Sequence, residues 1–280
     1  MLKKPEWIRV PYFDNKNSEY ISDLLKEQKL NTVCIEAACP NKAECFSKKT
    51  ATFMILGKNC TRECSFCNVS SGMPDSVDLK EPERIAYAVQ KLSLQYVVIT
   101  SVTRDDLPDG GASHFASVIS AINKQAPETR VEVLIPDLSS LEVIVDESPA
   151  VISHNIETVR SLYKAVRPGA DYKRSLNVLK SVKNLNKNIY TKSGLMLGLG
   201  ETYDEILKTF DDLLEAGCDF LTIGQYLSPS INHYQVREYI EPQTFKELGD
   251  IAGKRGFLSV ASDTFVRSSY NAYEALPHIR

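Results

Sequence analysis

The sequence has no dominant charge of either sign: 33 lysines and arginines face 36 aspartates and glutamates across 280 residues, for a net charge of −3. That balance argues against a general nucleic-acid binder, which would show a basic stripe. No apolar run approaches the ~18 residues that a membrane span needs, so no membrane segment is expected. The opening Met1-Leu-Lys-Lys-Pro-Glu-Trp-Ile is basic but has no apolar h-region, and no export signal is read from it. Hydrophobic residues at 43% and charged residues at 25% exclude a disordered or fibrous chain. The expectation is a cytoplasmic globular protein with one large domain or two small ones, at ~150 residues per domain.

Cysteine is scarce except in one stretch. Of seven cysteines, Cys34, Cys39, Cys45, Cys60, Cys64 and Cys67 crowd the first quarter of the chain, and Cys218 stands alone. An odd count without an export signal points to metal or redox chemistry rather than a disulfide framework. Cys218 precedes an apolar run and reads as a small buried hydrophobe.

Downstream, apolar β-rich runs alternate with amphipathic stretches. The expected strands are Thr52–Leu56, Tyr96–Ser101, Val131–Ile135, Val151–Asn155, Tyr190–Leu197 and Phe220–Tyr226. Helical periodicity marks Glu81–Lys91, Ser113–Asn123, Arg174–Leu185 and Tyr203–Ala216. Near-continuous apolar strands imply a parallel sheet covered by helices. The fold class is α/β, a partial (β/α)6 TIM-type barrel with N-terminal and C-terminal extensions; a doubly wound open sheet is the alternative. The divisions are 1–50, 51–240 and 241–280. Either architecture puts functional residues at the C-terminal strand ends.

Cys60, Cys64 and Cys67 follow the first strand with spacing C-x3-C-x2-C. Three thiolates in one loop leave one iron of a cubane cluster open to a ligand, where ferredoxin-type sites supply four. Structural zinc would want a fourth Cys or His, and none of His114, His154, His233 or His278 has finger spacing. With Phe66 before the last cysteine, this motif resembles the radical S-adenosylmethionine superfamily. The resemblance implies a 4Fe–4S cluster that binds and reductively cleaves S-adenosylmethionine (SAM) to a 5′-deoxyadenosyl radical, on a partial barrel.

Cys34, Cys39 and Cys45 form a second triplet, C-x4-C-x5-C. Together with Arg267-Ser-Ser-Tyr270, Cys39-Pro-Asn, Thr100-Ser-Val-Thr-Arg-Asp-Asp-Leu-Pro-Asp-Gly-Gly111, Val166-Arg-Pro-Gly-Ala-Asp-Tyr172 and Gln225-Tyr-Leu-Ser-Pro229, it resembles the lipoyl synthases from about residue 5 to residue 272. This implies a second, auxiliary 4Fe–4S cluster on Cys34, Cys39 and Cys45, with a serine as fourth ligand, Ser269 favoured over Ser268. It implies that this cluster gives up sulfur to C6 and C8 of an octanoyl-lysine on a lipoyl carrier domain or the glycine cleavage H protein. A flavodoxin or ferredoxin would donate electrons, and iron–sulfur assembly proteins would serve the clusters.

The resemblance marks Phe66, Gly110, Gly111, Asn155, Glu157, Arg167, Arg174 and Gly198 as contacts for SAM. Plainer roles stay open: Gly110-Gly111 as a turn, Glu157 as a helix cap, Arg174 in a surface ion pair. Gly200 is expected, with Gly198, to let the loop after the fifth strand pass close to the adenine of SAM. Gln235 stands where these proteins are expected to carry proline, which questions the stiffness of that loop. Two other readings remain, a different two-cluster enzyme such as a methylthiotransferase, and a non-catalytic iron–sulfur protein.

Overall fold

The computed structural model describes residues 2–9, 16–47 and 51–273. Helix α1 (Lys16–Glu27) leads into strand β1 (Asn31–Thr32) and the short helices α2 (Val33–Glu36) and α3 (Lys42–Ser47). Strands and helices then alternate: β2 (Thr52–Ile55), α4 (Glu81–Lys91), β3 (Tyr96–Ser101), α5 (Ala112–Gln125), β4 (Arg130–Leu134), α6 (Glu142–Asp146) and β5 (Val151–Ser153). A 3-10 turn at Arg160–Leu162 runs into α7 (Tyr163–Val166), followed by α8 (Tyr172–Leu185), β6 (Tyr190–Leu197), α9 (Tyr203–Glu215), β7 (Phe220–Gln225), α10 (Pro242–Arg255) and β8 (Ser259–Ser262).

Among the described residues, the eight strands form one sheet in chain order. Strand β1 is antiparallel to β2, and every later neighbour is parallel. A doubly wound sheet reverses its strand order at a switch point; this one does not, so it winds one way as a barrel does. It stops short of closure, with β1 and β8 as its ends. The six strands expected from the sequence are β2 to β7. The sheet then continues through α10 to β8, which pairs with β7 from Phe220↔Ser259 to Ile223↔Ser262.

Burial explains the strand composition. Every residue of β2, β5 and β7 is buried, because helices cover the sheet outside while the barrel interior closes over the other face. Outside, α4 buries Ile85, Ala86, Ala88 and Val89; α9 buries Ile206, Phe210 and Leu213 and starts with a Thr202–Glu205 capping box. Each of the larger ones, Ile85, Val89, Ile206, Phe210 and Leu213, contributes roughly 1.5–3 kcal/mol when fully buried.

The interior also holds charge. Lys192 Nζ on β6 lies 3.0 and 3.2 Å from the Glu132 carboxylate oxygens on β4, and Tyr96 Oη on β3 donates to Glu132 at 2.6 Å. Burial and the Glu132 charge push the Tyr96 phenol far up, so it remains a donor. The triad ties three strands together across the barrel.

Candidate active site

The loop after β2 carries Cys60, Cys64 and Cys67, and its entry is fixed from three sides. Leu56 N–H donates to Glu81 Oε2 at 3.0 Å, His114 Nε2 donates to the same oxygen at 2.7 Å, and Arg104 donates to Leu56 O at 3.1 Å. Backbone bonds then shape the loop: Cys60 N to Ser70 O (2.8 Å), Gly72 N to Cys60 O (3.0 Å), Thr61 N to Thr103 O (3.0 Å) and Ser65 N to Val166 O (3.1 Å). Phe66 packs on the cluster of Val166, Leu199 and Tyr226. The later loop reaches back, with Tyr234 N on Ser65 O (2.7 Å) and His233 Nε2 3.2 Å from Cys67 O. Gln235 donates to Ile231 O and His233 O at 2.9 and 2.7 Å, holding the loop where proline was expected.

These residues fit an iron–sulfur cluster. Cys60 Sγ accepts N–H bonds from Arg62 (3.4 Å) and Thr103 (3.3 Å), the pattern that supports an anionic sulfur. Burial pushes the Cys64 thiol up and the Cys67 thiol up to about 12. Buried thiolates of this kind form when metal takes the proton's place. Among the described residues no three His, Cys, Asp or Glu side chains converge as a single metal ion requires; a cubane spreads its ligands over different irons.

Arg62, inside the cysteine loop, grips two carboxylates. It meets Asp105 through Nε and Nη2, each at 2.8 Å, and Asp137 through Nη1 at 2.6 Å. Arg62 holds the Asp105 carboxyl below the ordinary range. At Asp137 burial pushes up, but the Arg62 hydrogen bond and the Arg62 and Arg167 charges outweigh it and the net shift is down. Burial, with Arg167 nearby, lowers His154 to about 4, so its ring is neutral near pH 7. Its Nδ1 donates to Ile135 O at 2.9 Å, which leaves Nε2 as an acceptor. Nε2 and Asp137 Oδ1, 3.7 Å apart, are both buried without a hydrogen-bond partner. Two facing acceptors present lone pairs to a shared N–H or O–H group.

Beyond β5, Glu157 takes a left-handed φ of +65°. The strain is held by bonds to β6, Glu157 N to Gly194 O (2.8 Å) and Met196 N to Glu157 O (2.9 Å). Asn155 Nδ2 donates to Glu157 Oε1 at 3.0 Å, and Arg167 donates to Asn155 O at 3.0 Å and to Tyr163 Oη at 2.5 Å. Burial pushes the Glu157 carboxyl up against the pull of Arg167 and Asn155. Arg167 also lies within electrostatic reach of Cys64, so it connects the Asn155–Glu157 pair to the cysteine loop.

The glycines answer mainly to packing. Gly111, at φ +98°, caps α5, and a methyl there would run into Leu56. Gly110 has φ +68° with Leu138 3.1 Å from its would-be Cβ. At Gly198, φ +95°, a methyl would overlap the Gln225 amide and the Glu238 carbonyl; Gly200 has φ +112°. Arg174 lies on the exposed flank, its N–H capped by Asp171 at 2.8 Å and its guanidinium 4.0 Å from Asp137. Cys218 is buried and donates to Phe220 O at 3.2 Å, apart from both triplets.

The second triplet lies at the N-terminal edge. Thr32 accepts from Cys34 N at 3.2 Å and donates to Thr52 O at 2.7 Å, docking α2 on β2. Burial, then the neighbouring Cys34, pushes the Cys39 thiol up, while Arg267 pulls it down. The C-terminal segment after β8 crosses over β7, where a methyl on Gly224 would overlap Val266 O. It is pinned to the cysteines by Asn41 Nδ2 on Phe265 O (2.7 Å) and by Tyr270 Oη on the Glu44 carboxylate (3.0 and 2.9 Å). Cys34, Cys45 and Ser269 line one cavity of about 320 Å³. Ser268 points elsewhere, donating to Asn155 Oδ1 at 2.9 Å.

Sequence reading missed Arg62, Asp137, His154, Gly194 and Gly224. Arg62 lies inside the motif that was read, so its position was available; the others make contacts across strands that no local pattern encodes.

Residues 54–224 match the model of the Radical SAM superfamily. The chain is 54% identical over 278 residues to the lipoyl synthase of Alkaliphilus metalliredigens, covering 98% of this chain and 96% of that protein. It is 56% identical over 276 residues to the lipoyl synthase of Caldicellulosiruptor saccharolyticus, covering 97% of each. Among solved structures, methylornithine synthase superposes with a TM-score of 0.56 at 14% identity, covering 72% of this chain and 60% of that one, which speaks to the fold alone.

Proposed function

The chain belongs to the lipoyl synthase family of the radical SAM superfamily, and from that premise we propose which of its residues hold each cofactor and what the site acts on. It is a radical SAM sulfur-inserting enzyme of lipoate synthesis that uses SAM and two 4Fe–4S clusters. Cys60, Cys64 and Cys67 hold the cluster that binds SAM. Cys34, Cys39, Cys45 and Ser269 hold the auxiliary cluster. The observation that carries this division is the placement of the paired serines: Ser269 shares a cavity with Cys34 and Cys45, while the Ser268 hydroxyl is engaged by Asn155. When bound, these groups supply one-electron cleavage of SAM and the inserted sulfur, chemistry that an inert C–H bond denies to a general base.

The chain's own residues bind and orient. Asn155 and Glu157 present hydrogen-bonding atoms to SAM, with Arg167 fixing their backbone and facing the cluster loop. Phe66 closes the loop against the barrel wall and keeps water out. Gly110, Gly111 and Gly198 bring backbone close enough to flank SAM, and Arg174 supplies charge at the rim. The 1–50 segment brings the auxiliary cysteines, 51–240 the six central strands of the barrel, and 241–280 the serine. The substrate is an octanoyl-lysine on a lipoyl carrier domain or the H protein, receiving sulfur at C6 and C8 in the cytoplasm. A flavodoxin or ferredoxin supplies electrons, and iron–sulfur assembly proteins restore the spent site.

Two variants test the division. Cys64→Ala should abolish 5′-deoxyadenosine formation and leave about half the bound iron. Cys39→Ala should leave deoxyadenosine formation largely intact at saturating SAM and stop sulfur insertion. A Cys39→Ala protein that completes lipoyl groups would contradict the auxiliary role.

A further inference from the structure

Three consecutive side chains touch both halves of the site. Ser269 lines the cavity of Cys34 and Cys45. Arg267 lies within electrostatic reach of Cys39 and of Glu157. Between them, Ser268 Oγ donates to Asn155 Oδ1 at 2.9 Å, a contact between residues 113 positions apart.

The Asn155 side chain is determined on every side. One N–H of its Nδ2 goes to Glu157 Oε1 at 3.0 Å, which turns Oδ1 toward a donor and keeps the second N–H for SAM. A Cβ on residue 194 would stand 2.9 Å from that Oδ1, so the amide has its room because Gly194 has no side chain. Thr222 Oγ1 is committed to Ser193 O at 3.4 Å, which leaves the Ser268 hydroxyl as the donor that settles the amide.

We infer that Ser268 is a positioning residue that couples the auxiliary-cluster site to the SAM site. The inference rests on the assignments above of Asn155 and Glu157 to SAM and of Ser269 to the auxiliary cluster. Neighbours in one peptide do not move independently, so displacement of Ser269 displaces the hydroxyl that orients Asn155. Such coupling is reciprocal. An intact auxiliary site tightens SAM binding, and bound SAM slows the loss of auxiliary iron. As the auxiliary site is spent, SAM binds more weakly.

The test measures SAM dissociation constants by equilibrium dialysis on anaerobically reconstituted protein without reductant, so that no turnover occurs. Ser268→Ala should weaken binding by about 3- to 10-fold, the range one neutral hydrogen bond supports, and Ser268→Thr should restore it. Cys39→Ala should weaken binding in the wild-type background and add nothing to Ser268→Ala. SAM should slow iron release to a chelator in the wild type and not in Ser268→Ala. Unchanged affinity in Ser268→Ala, a loss in Ser268→Thr equal to that in Ser268→Ala, or losses that multiply in the double variant would each overturn the coupling. Asn155→Ala separates the two levels. If it leaves affinity unchanged, the SAM assignment itself fails; if it weakens binding while Ser268→Ala does not, the coupling alone fails.

Discussion

Replacing Arg62 by methionine removes the cation that holds the cysteine loop to the barrel. The Arg62 and Asp137 side chains are only 14% and 8% exposed, so the pair is close to the buried limit. Stripping one partner from a buried pair costs about 3–5 kcal/mol. Asp105 is 47% exposed and adds at most about 1 kcal/mol. Arg174, 4.0 Å from Asp137, offsets part of the loss, and the expected cost is about 3 kcal/mol. At roughly 2–4 °C per kcal/mol for a chain of this size, the apoprotein midpoint should fall by about 6–12 °C. Arg62→Lys keeps the charge but not the two-sided fork, so its loss should be about half as large. Adding Asp137→Asn to Arg62→Met should recover most of the stability, because no unpaired charge then stays buried. Anaerobic thermal unfolding reads the midpoint, and bound iron after reconstitution reads the loop. A midpoint within about 1 °C of wild type, or a double variant less stable than Arg62→Met, would refute the clamp.

The same clamp sets an acid limit. Both aspartates titrate below their ordinary value in the folded protein, so their stabilisation is present above about pH 4 and is lost as pH falls through the folded pKa values; wild-type and Arg62→Met stability curves should therefore converge in acid, and parallel curves would contradict the sign. Gly198→Ala imposes a left-handed conformation worth ~1–2 kcal/mol and a clash worth ~1–3 kcal/mol, and unfolding midpoints should show a loss of this combined size. Lys192→Met strands Glu132 inside the barrel and should cost about 3–5 kcal/mol, whereas Lys192→Met with Glu132→Gln should cost clearly less; equal losses would show that the triad is not a charge pair.

Where the sequence was periodic and deeply buried, it was legible. The limits of α4, β3 and β6 follow from their apolar patterns, since each is long and packs against a neighbour along its whole length. Strand β8 was missed because Ser259–Ser262 is only half-buried and carries no apolar run. Strand β1 is two residues long, held by the Thr32–Thr52 bond rather than by a pattern. The cysteine triplets were legible because their spacing is local. Asp137 and His154 meet only through strand pairing, and Gly224 matters only because Val266, far along the chain, crosses it. The choice between Ser268 and Ser269 needs side-chain direction, which adjacent identical residues do not encode.

One chain with both cysteine triplets loaded should cleave SAM and place sulfur on an octanoyl chain. Reconstituted protein, given SAM, a strong reductant and an octanoyl-lysine peptide without oxygen, is followed by mass spectrometry for 5′-deoxyadenosine and for peptide mass together. Deoxyadenosine and a peptide that gains two sulfurs while losing hydrogen are the expected products. Protein with both clusters intact that forms deoxyadenosine but leaves the peptide mass unchanged would contradict this reading.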